Sequence, residues 1–280
     1  MSLGRVYVRA PNHLGDGVMA RPALAALRRG ATSVVVAAPR WGAELYRDLD
    51  VEVVARGEVP SADLGVLFAP SFRAAWEARR LPRRVGLTTD HRSLLLTERV
   101  RPQGLHRMDD YAALVQTLGL EVGEAPVYRP TEDETDAVDV PHGHVALNPL
   151  SPSGETVMWG GFEELGARVR DPVVYIGPGE RVESRHRVVA GLPLGQLAAH
   201  LLRARVVVSN DSGVAHFARA CDVPTVVLFG STVPGRTGAR GATAVEGPSP
   251  SCRPCYAKRC SRPRVDCLDI SVERVLEVMP

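Results

Sequence analysis

The sequence predicts an α/β protein built from two doubly wound parallel sheets, and three observations support that prediction. Short apolar runs alternate with amphipathic helical segments along most of the 280 residues. An acidic, proline-containing stretch interrupts this alternation once, near the middle of the chain. The alternation then restarts, so that each half has the size of an ordinary domain.

In the first half, four buried strands alternate with three helices. Because the apolar runs are short and the helical patterns lie between them, the sheet is expected to be parallel with helices on both faces. The predicted strands are RVYVRA (5–10), SVVVAA (33–38), VEVVA (51–55) and DLGVLFAP (63–70). The predicted helices are GVMARPALAALRR (17–29), FRAAWEARR (72–80) and MDDYAALVQTLGL (108–120).

The same alternation occupies the second half, after a predicted linker at 131–142, which gives domains at 1–130 and 143–280. The predicted strands are HVALNP (144–149), PVVYIGP (172–178), RVVVSN (205–210) and TVVLFGS (225–231). The predicted helices are FEELGARV (162–169), LGQLAAHLLR (194–203) and GVAHFARAC (213–221). A last helix, capped by Ser271, either stays in this half or packs back onto the first domain.

Composition excludes several functional classes. Lys258 is the only lysine among 34 basic residues, and it lies outside any GxxxxGK[ST] pattern, so a P-loop NTPase is excluded. The net charge of +2 and the scattered arginines give no reason to expect nucleic acid as a partner. No apolar run is long enough for a membrane span and the first residues do not resemble a signal peptide, so a cytoplasmic protein is expected.

Asn210-Asp211-Ser212-Gly213 joins a predicted strand to a predicted helix. The first backbone N–H groups of such a helix attract an anion, and a phosphate is a natural guest. The Asp211 carboxylate would repel a phosphate at contact distance but would bind sugar hydroxyls beside it. Alternatively, Asn210 or Asp211 only caps the helix.

Two other loops of the second half carry polar residues at strand ends. Ser151 and Ser153 lie in the loop NPLSPSGETVMWGGF, where they either donate to phosphate oxygens or belong to a turn-rich connection. Glu180 follows the next strand, where it either accepts from a ribose diol or is a favourable charge in the first turn of a helix.

Asp16 is the main polar residue of the first strand-to-helix junction. It lies between Gly15 and Gly17, which would let a substrate approach the backbone closely. A carboxylate at this place either acts as a general base on a hydroxyl group or caps the helix.

Four cysteines form a C-x2-C-x4-C-x6-C pattern near the C-terminal end of the sequence. This segment is expected to be structural and to lie away from the chemistry, with a zinc site, disulfides and free thiols as open alternatives. The cysteines are Cys252, Cys255, Cys260 and Cys267.

Taken together, four stretches of this sequence resemble the bacterial heptosyltransferases of glycosyltransferase family 9. LGDGVMARPALAALR (14–28) is similar to the opening Gly-Asp loop and helix of that family, and DLGVLFAPSFRAAWEARRLPRRVGL (63–87) to the segment after its fourth strand. VSNDSGVAHFARACDVPTVVLFGSTVPGRTG (208–238) matches its signature, and CRPCYAKRCSRPRVDCL (252–268) is similar to a cysteine tail of many members.

The resemblance implies a GT-B fold, in which two Rossmann-like domains face a central cleft. The N-terminal domain would bind the acceptor and the C-terminal domain an ADP-sugar, and inversion would need no metal or other cofactor. Asp16 would be the general base, Asp211 would hold the donor sugar, and the N–H groups of Ser212 and Gly213 would bind the diphosphate.

The resemblance also assigns the surrounding residues. The acceptor side would include Asn12 and His13. The donor side would further include Ser151, Ser153, Glu180 near the ribose, Leu192 near the adenine, His216 and Arg236. The family commonly has a lysine at the position of Val157, so in this chain the positive charge on the leaving diphosphate would have to come from elsewhere, with Arg236 as a candidate.

The implied function is transfer of a sugar, with heptose favoured, from an ADP-sugar to the lipopolysaccharide core or another glycan. The expected partners are the nucleotide sugar, a glycan or glycolipid acceptor, and the inner membrane surface through a peripheral contact. A catalytically silent sugar-nucleotide or glycan binding protein and a sugar-nucleotide epimerase are the alternatives.

Overall fold

A computed structural model describes residues 2–104, 106–171, 173–177 and 184–280. The chain divides into two compact units, the first ending at Pro126 and the second extending from Val127 to Pro280. Each unit is built on its own six-stranded sheet, in which all neighbouring strands are parallel.

The first unit has the strand order β3-β2-β1-β4-β5-β6. Its central strand β1 is almost entirely buried, because helices cover both faces of a parallel sheet. The strands are β1 (Arg5–Arg9), β2 (Ser33–Ala38), β3 (Glu52–Ala55), β4 (Leu64–Leu67), β5 (Arg83–Leu87) and β6 (Glu98–Val100). The helices are α1 (Leu14–Met19), α2 (Arg21–Gly30), α3 (Gly42–Leu45), α4 (Phe72–Glu77) and α5 (Arg107–Gln116).

Two details of the first unit differ from the sequence prediction. The single helix predicted at 17–29 is two helices, since Pro22 lies in the first turn of α2 and the chain turns at Ala20. The strands β5 and β6 were not predicted, because charged residues interrupt their apolar pattern.

The second unit has the strand order β12-β11-β10-β7-β8-β9. The strands are β7 (His144–Asn148), β8 (Val173–Gly177), β9 (Arg187–Ala190), β10 (Ala204–Asn210), β11 (Thr225–Phe229) and β12 (Thr243–Glu246). The helices are α6 (Glu132–Asp136), α7 (Phe162–Arg168), α8 (Leu194–Arg203), α9 (Gly213–Ala220), α10 (Pro234–Thr237) and α11 (Val272–Val278).

Both ends of the second unit are packed onto its sheet. Helix α6, within the segment predicted as a linker, begins with a capping box in which Thr131 and Glu134 bond each other's backbone N–H groups, and it contacts α8. The last helix, α11, contacts α7 and β12, and its buried residues Val272 and Val275 belong to the core of this unit.

In each sheet the strand order reverses between the two central strands. The chain runs outward from β1 in one direction and from β4 in the other, and it does the same from β7 and β10. Loops that follow such a pair diverge to opposite faces and leave a crevice at the carboxyl end of the sheet, where ligands of doubly wound proteins bind. The loops after these four strands are therefore the first places to examine for a site.

A buried guanidinium fixes the carboxyl ends of β4 and β5. Arg92 is fully buried; its Nε donates to the Leu87 carbonyl at 2.9 Å and its Nη1 donates to the Ala69 carbonyl at 2.5 Å. Burial lowers the pKa of Arg92 to about 10, so the group stays charged at neutral pH.

Arg92→Lys is expected to lower the free energy of unfolding by about 3 kcal/mol, because a lysine ammonium cannot reproduce the planar fork and leaves buried carbonyls unpaired. Urea unfolding of the variant measures this change. The matched control is Arg99→Lys on the exposed side of β6, which should alter the free energy by no more than about 0.5 kcal/mol. Equal unfolding midpoints for both variants would show that Arg92 is not a structural anchor.

Candidate functional site

At the reversal point of the second sheet, the start of α9 is built around a buried amide. Asn148, at the end of β7, is fully buried and donates through Nδ2 to Ser209 Oγ at 3.0 Å and to Ser212 Oγ at 2.8 Å. Ser212 is the N-cap residue of α9, yet its side chain makes no capping hydrogen bond to the helix. The N-terminal end of α9 therefore keeps the anion-binding character that a side-chain cap would reduce.

Ser212, and neither of the two residues before it, occupies the N-cap position of α9. Asn210 instead ties two loops together: its Oδ1 accepts from the Trp159 N–H at 3.0 Å and its Nδ2 donates to the Pro149 carbonyl at 2.6 Å. Asp211 Oδ2 accepts from the Thr237 hydroxyl of α10 at 2.8 Å. The Asp211 carboxylate is thereby fixed beside the start of α9.

The serine loop after β7 lies against the same place. Ser151 is buried and its Oγ donates to the Asp211 carbonyl at 3.5 Å. Ser153 is exposed, and its backbone N–H donates to Ser151 Oγ at 3.3 Å. The structure thus brings Ser151 next to Asp211 and Ser153 next to Ser151.

The other residues predicted for the donor site lie on α9, on α10 and after β9. His216 is buried in the first half of α9, and Arg236 directly precedes Thr237 on α10. Leu192 is half-buried and follows β9, the outermost strand on its side of the sheet. Glu180 lies outside the residues that the structure describes.

Val157 occupies the position at which the related family commonly has a lysine, and its side chain is buried in the interior at the end of a short 3-10 helix, Glu155–Val157. An apolar residue in this place packs into the core and supplies no charge to the loop after β7. Any cation for a bound anion must therefore come from another element.

The cysteine segment contacts two of the strand-end loops of this unit. The backbone N–H of Cys255 donates to the carbonyl of Ser231, which follows β11, at 3.1 Å. The backbone N–H of Cys260 donates to Glu155 Oε1 at 3.0 Å, and the Thr156 hydroxyl donates to the Ala257 carbonyl. The segment 252–268, which we call the cysteine strap, therefore packs against the loops that follow β7 and β11.

The cysteine strap also contains Lys258, the only lysine of the chain, and packs its backbone against Gly154. Gly154 has a φ of +105°, and a Cβ added there would collide with the backbone carbonyl of Lys258. Glycine is thus required at this position by both its conformation and its close contact with the strap.

The cysteine thiols differ in environment. The four thiols of this segment form no disulfide, and no group of three or more His, Cys, Asp or Glu side chains in the described part of the chain is arranged to hold a metal ion. Cys252 and Cys255 are exposed, whereas Cys267 is buried, and that burial raises the pKa of its thiol.

In the first unit, Asp16 is the third residue of α1, and the N-cap position belongs to His13. The capping alternative for Asp16 is therefore wrong. Its Oδ1 lies 3.3 Å from Nη1 of Arg107, the first residue of α5, and its side chain is 18% exposed. Partial burial leaves the carboxylate accessible to a small hydroxyl group.

Burial raises the pKa of Asp16, while the positive charge of Arg107 and, to a smaller extent, His13 act in the opposite direction. The pKa of the nearby Tyr111 hydroxyl is raised well above its ordinary value, chiefly by burial. A carboxylate with a raised pKa is a stronger base than an ordinary aspartate, which suits proton removal from a hydroxyl group.

The residues around Asp16 correct the role expected of Gly17 and show what Asn12 contacts. A Cβ on Gly17 would clash with the Trp41 ring, so Gly17 serves close packing in the unit and not the approach of a substrate. Asn12 precedes α1, and its Oδ1 accepts from Arg9 Nη2 at 2.9 Å. Sequence reasoning missed Arg9, which ends β1, and Arg107, which folding brings to the loop from 91 positions away.

Comparison with known proteins shows which proteins this chain resembles. Residues 178–265 match the sequence model of glycosyltransferase family 9 (heptosyltransferase). Over 75 residues, 26% of the chain, the sequence is 45% identical to lipopolysaccharide heptosyltransferase 1 of Pseudomonas aeruginosa. That match spans about a fifth, 21%, of the length of the relative.

Solved structures of similar fold extend the likeness to both units. The Escherichia coli ADP-heptose lipopolysaccharide heptosyltransferase II superposes with a TM-score of 0.77 at 19% identity, covering 98% of this chain and 96% of that one. The E. coli heptosyltransferase WaaC with ADP-2-deoxy-2-fluoro heptose gives 0.71 at 14% identity, covering 98% of both chains.

These matches confirm the predicted α/β fold of GT-B type and the predicted resemblance to the heptosyltransferase family, and they agree with the predicted enzyme class, a glycosyltransferase. The part of the chain that matches the family model contains β10, α9 and α10, which carry Asp211, Ser212 and Thr237. In the described part of the chain, no helix is long and apolar enough to cross a membrane.

Thiol labelling tests the structure of the cysteine strap. Cys252 and Cys255 should react with a maleimide within minutes at neutral pH, because both are exposed. Cys267 and Cys221 should react at least about tenfold more slowly, since both are buried and the reactive thiolate of Cys267 is disfavoured.

Peptide mass spectrometry at timed intervals measures these rates, and the urea-unfolded chain, in which all five cysteines should be labelled, is the control. Labelling of Cys267 as fast as Cys252 in the folded protein would contradict the packing of the strap.

Proposed function

We propose that this chain is an inverting family 9 glycosyltransferase that moves a sugar, with heptose favoured, from an ADP-sugar to a hydroxyl of the lipopolysaccharide core or another glycan. The observation that supports the proposal is that two properties belong to the same stretch of the chain. The stretch that matches the family model is the stretch that forms the start of α9, whose N-cap residue makes no side-chain cap bond, and that fixes the Asp211 carboxylate beside it.

On the donor side, the diphosphate would be bound by the backbone N–H groups of Ser212 and Gly213, helped by the dipole of α9. Asp211 would accept from hydroxyls of the sugar, and its bond to Thr237 keeps the carboxylate in place for that role. Arg236, next to Thr237, is the candidate for the positive charge that Val157 does not supply.

On the acceptor side, Asp16 would accept the proton of the attacking hydroxyl. As the acceptor oxygen forms its bond to the anomeric carbon from the face opposite the diphosphate, the bond from that carbon to the diphosphate oxygen breaks. ADP leaves with the bonding electrons and the configuration is inverted. The proposed chemistry uses no catalytic metal, because a base at Asp16 and charge stabilisation at α9 are the two functions that the transfer needs.

The donor site is tested by comparing two ligands. Asp211→Ala should weaken binding of an ADP-sugar by about tenfold, or ~1.5 kcal/mol, and weaken ADP binding less, because only the sugar contacts the carboxylate. Thr237→Val, which removes the bond that fixes Asp211, should give a smaller loss with the same preference.

Calorimetric titration with each ligand measures these differences. Asp222→Ala, which removes an exposed carboxylate at the other end of α9, is the control and should leave both affinities unchanged. Equal losses for ADP and ADP-sugar in Asp211→Ala would argue against a sugar-binding role.

The general base is tested by Asp16→Asn, which keeps the shape of the side chain and removes its basicity. Turnover in the presence of excess EDTA should fall by about 10²–10⁴-fold with donor affinity unchanged. Asp139→Asn, an exposed substitution, is the control. A wild-type turnover number for Asp16→Asn would remove Asp16 from the mechanism.

The pH profile gives an independent test of the same group. Asp16 acts as a base only when ionised, so the rate should fall as the pH falls through its pKa, and burial places that limb above the range of an ordinary aspartate. Because Arg107 lowers the pKa of Asp16, Arg107→Gln should move the acid limb to higher pH. An unchanged limb would mean that another group titrates.

Val157 favours a second candidate function, a sugar-nucleotide or glycan binding protein without turnover. Its buried side chain leaves the loop after β7 without the cation that members of the family commonly have. Mass detection of a glycosylated acceptor separates the two functions, because a binding protein would retain the donor unchanged.

A further inference from the structure

Ser212 has the backbone conformation of a helix cap but does not act as one. It occupies the N-cap position of α9 with a φ of −152° and a ψ of 167°, in the extended region that N-cap residues adopt. Serine is among the most favoured residues at this position, because its hydroxyl oxygen accepts from an N–H group of the first turn. The Ser212 side chain makes no such bond, so another part of the molecule holds it back.

Asn148 and Ser209 hold the Ser212 hydroxyl from the side of the sheet. Asn148 Nδ2 donates to Ser212 Oγ at 2.8 Å and to Ser209 Oγ at 3.0 Å. The Ser209 hydroxyl donates its one proton to the Asn210 carbonyl at 2.7 Å. In the 3.1 Å contact between the two serine oxygens, Ser212 is therefore the donor. The Ser212 hydroxyl thus accepts from one residue of the sheet and donates to another.

Asn148 leaves one of its own polar atoms without a bond. Its side chain is fully buried, and its Oδ1 has no hydrogen-bond partner among the described residues. A buried acceptor without a partner lowers stability, and an apolar side chain of similar size would avoid that loss. Stability alone therefore gives no reason for an asparagine here, and full burial keeps the amide from contacting a ligand directly.

A role for Asn148 in joining the two central strands also fits less well. β7 and β10 are already joined by their backbone ladder, in which Asn148 lies opposite Ser209. The amide makes a further bond to Ser212, which lies beyond the last residue of β10. The bond that the ladder does not explain is therefore the one that restrains the cap position of α9.

We propose that Asn148 is a positioning residue for the donor: it turns the Ser212 hydroxyl toward the sheet and so keeps the first N–H groups of α9 open to the diphosphate. A capping hydroxyl would occupy the end of the helix and would have to be displaced before an anion could bind. The proposal rests on the proposed function, because the ligand that it concerns is the diphosphate at α9.

The test is calorimetric titration of ADP into the full chain and its variants. Asn148→Val removes the donor and frees Ser212 to cap α9, so the affinity for ADP should fall by about fivefold, the factor that corresponds to one N-cap bond. In the Ser212→Ala background no hydroxyl competes. The same Asn148→Val change should then alter the affinity for ADP by less than about twofold.

The comparison of the two backgrounds separates positioning from damage. If Asn148→Val distorted the loops directly, it would weaken ADP binding equally with and without the Ser212 hydroxyl, and equal losses would overturn the proposal. An affinity of Asn148→Val for ADP within about twofold of the wild type would overturn it as well.

The matched control is Thr225→Val, at the start of β11. Thr225 is buried, and its hydroxyl donates to the Val223 carbonyl at 2.8 Å. Like Asn148→Val, this change replaces a buried polar side chain of the second sheet by valine, but it lies at the amino end of a strand. Its affinity for ADP should equal that of the wild type, and thermal melting shows that each variant folds.

Amide hydrogen exchange tests the competition without a ligand. The N–H groups of Val214 and Ala215 lie in the first turn of α9, which receives no side-chain cap. Asn148→Val should slow the exchange of one of them by about fivefold or more, because Ser212 then caps it. Asn148→Val/Ser212→Ala should restore the wild-type rate. Equal exchange in all three proteins would contradict the proposal.

A milder variant reads the same restraint if Asn148→Val does not fold. Ser209→Ala removes the acceptor of the Ser212 hydroxyl and should weaken ADP binding by about two- to threefold, again only while the hydroxyl is present. Unchanged exchange and unchanged affinity in Ser209→Ala would then overturn the proposal.

Failure of the donor site and failure of the role of Asn148 give different results. If the wild type does not bind ADP, the proposed donor site is wrong, and the exchange rates alone decide whether Asn148 restrains Ser212. If the wild type binds ADP and Asn148→Val binds it equally well, the donor site stands and the role of Asn148 is wrong.

Discussion

The whole molecule depends on one topological constraint, the reversal of strand order at the centre of each parallel sheet. Because the chain leaves β1 and β4 toward opposite faces, the loops at their carboxyl ends separate, and β7 and β10 repeat the arrangement. Asp16 follows β1 and Asp211 follows β10, so both carboxylates lie where the sheets themselves leave room for a ligand. Helices on both faces bury the central strands and so hold the first residues of these loops in place.

Hydrogen bonds among buried polar side chains then determine which polar groups remain available to a ligand. At the second sheet, Asn148 Nδ2 donates to the Ser212 hydroxyl and Asn210 joins Trp159 to Pro149, while Asn148 Oδ1 is buried without a hydrogen-bond partner among the described residues. The start of α9 is left with backbone donors and an oriented carboxylate, Asp211. Hydrogen bonds among buried side chains restrain these loops, and such restraint is what a site needs to bind one ligand geometry.

The sequence alone predicted the central strands and the residues at their ends, because uninterrupted apolar runs and strand-to-helix junctions are local patterns. The outer strands β5, β6, β9 and β12 were missed, since their charged residues conceal the pattern. The pairing of Asp16 with Arg107 joins residues 91 positions apart, and no local signal encodes it. For the same reason, the contact of the cysteine segment with the loops after β7 and β11 could not be anticipated.

The strap over Gly154 has a practical consequence for labelling chemistry. Since Lys258 is the only lysine, its ε-amine is the single side-chain target for amine-directed reagents, and it is exposed. Its backbone packs directly on Gly154, in the loop that also contains Ser151 and Ser153. A fluorophore linked to the Lys258 ε-amine would therefore lie beside the loop after β7, where it is the one side-chain label that an amine-directed reagent adds, apart from any label on the α-amino group.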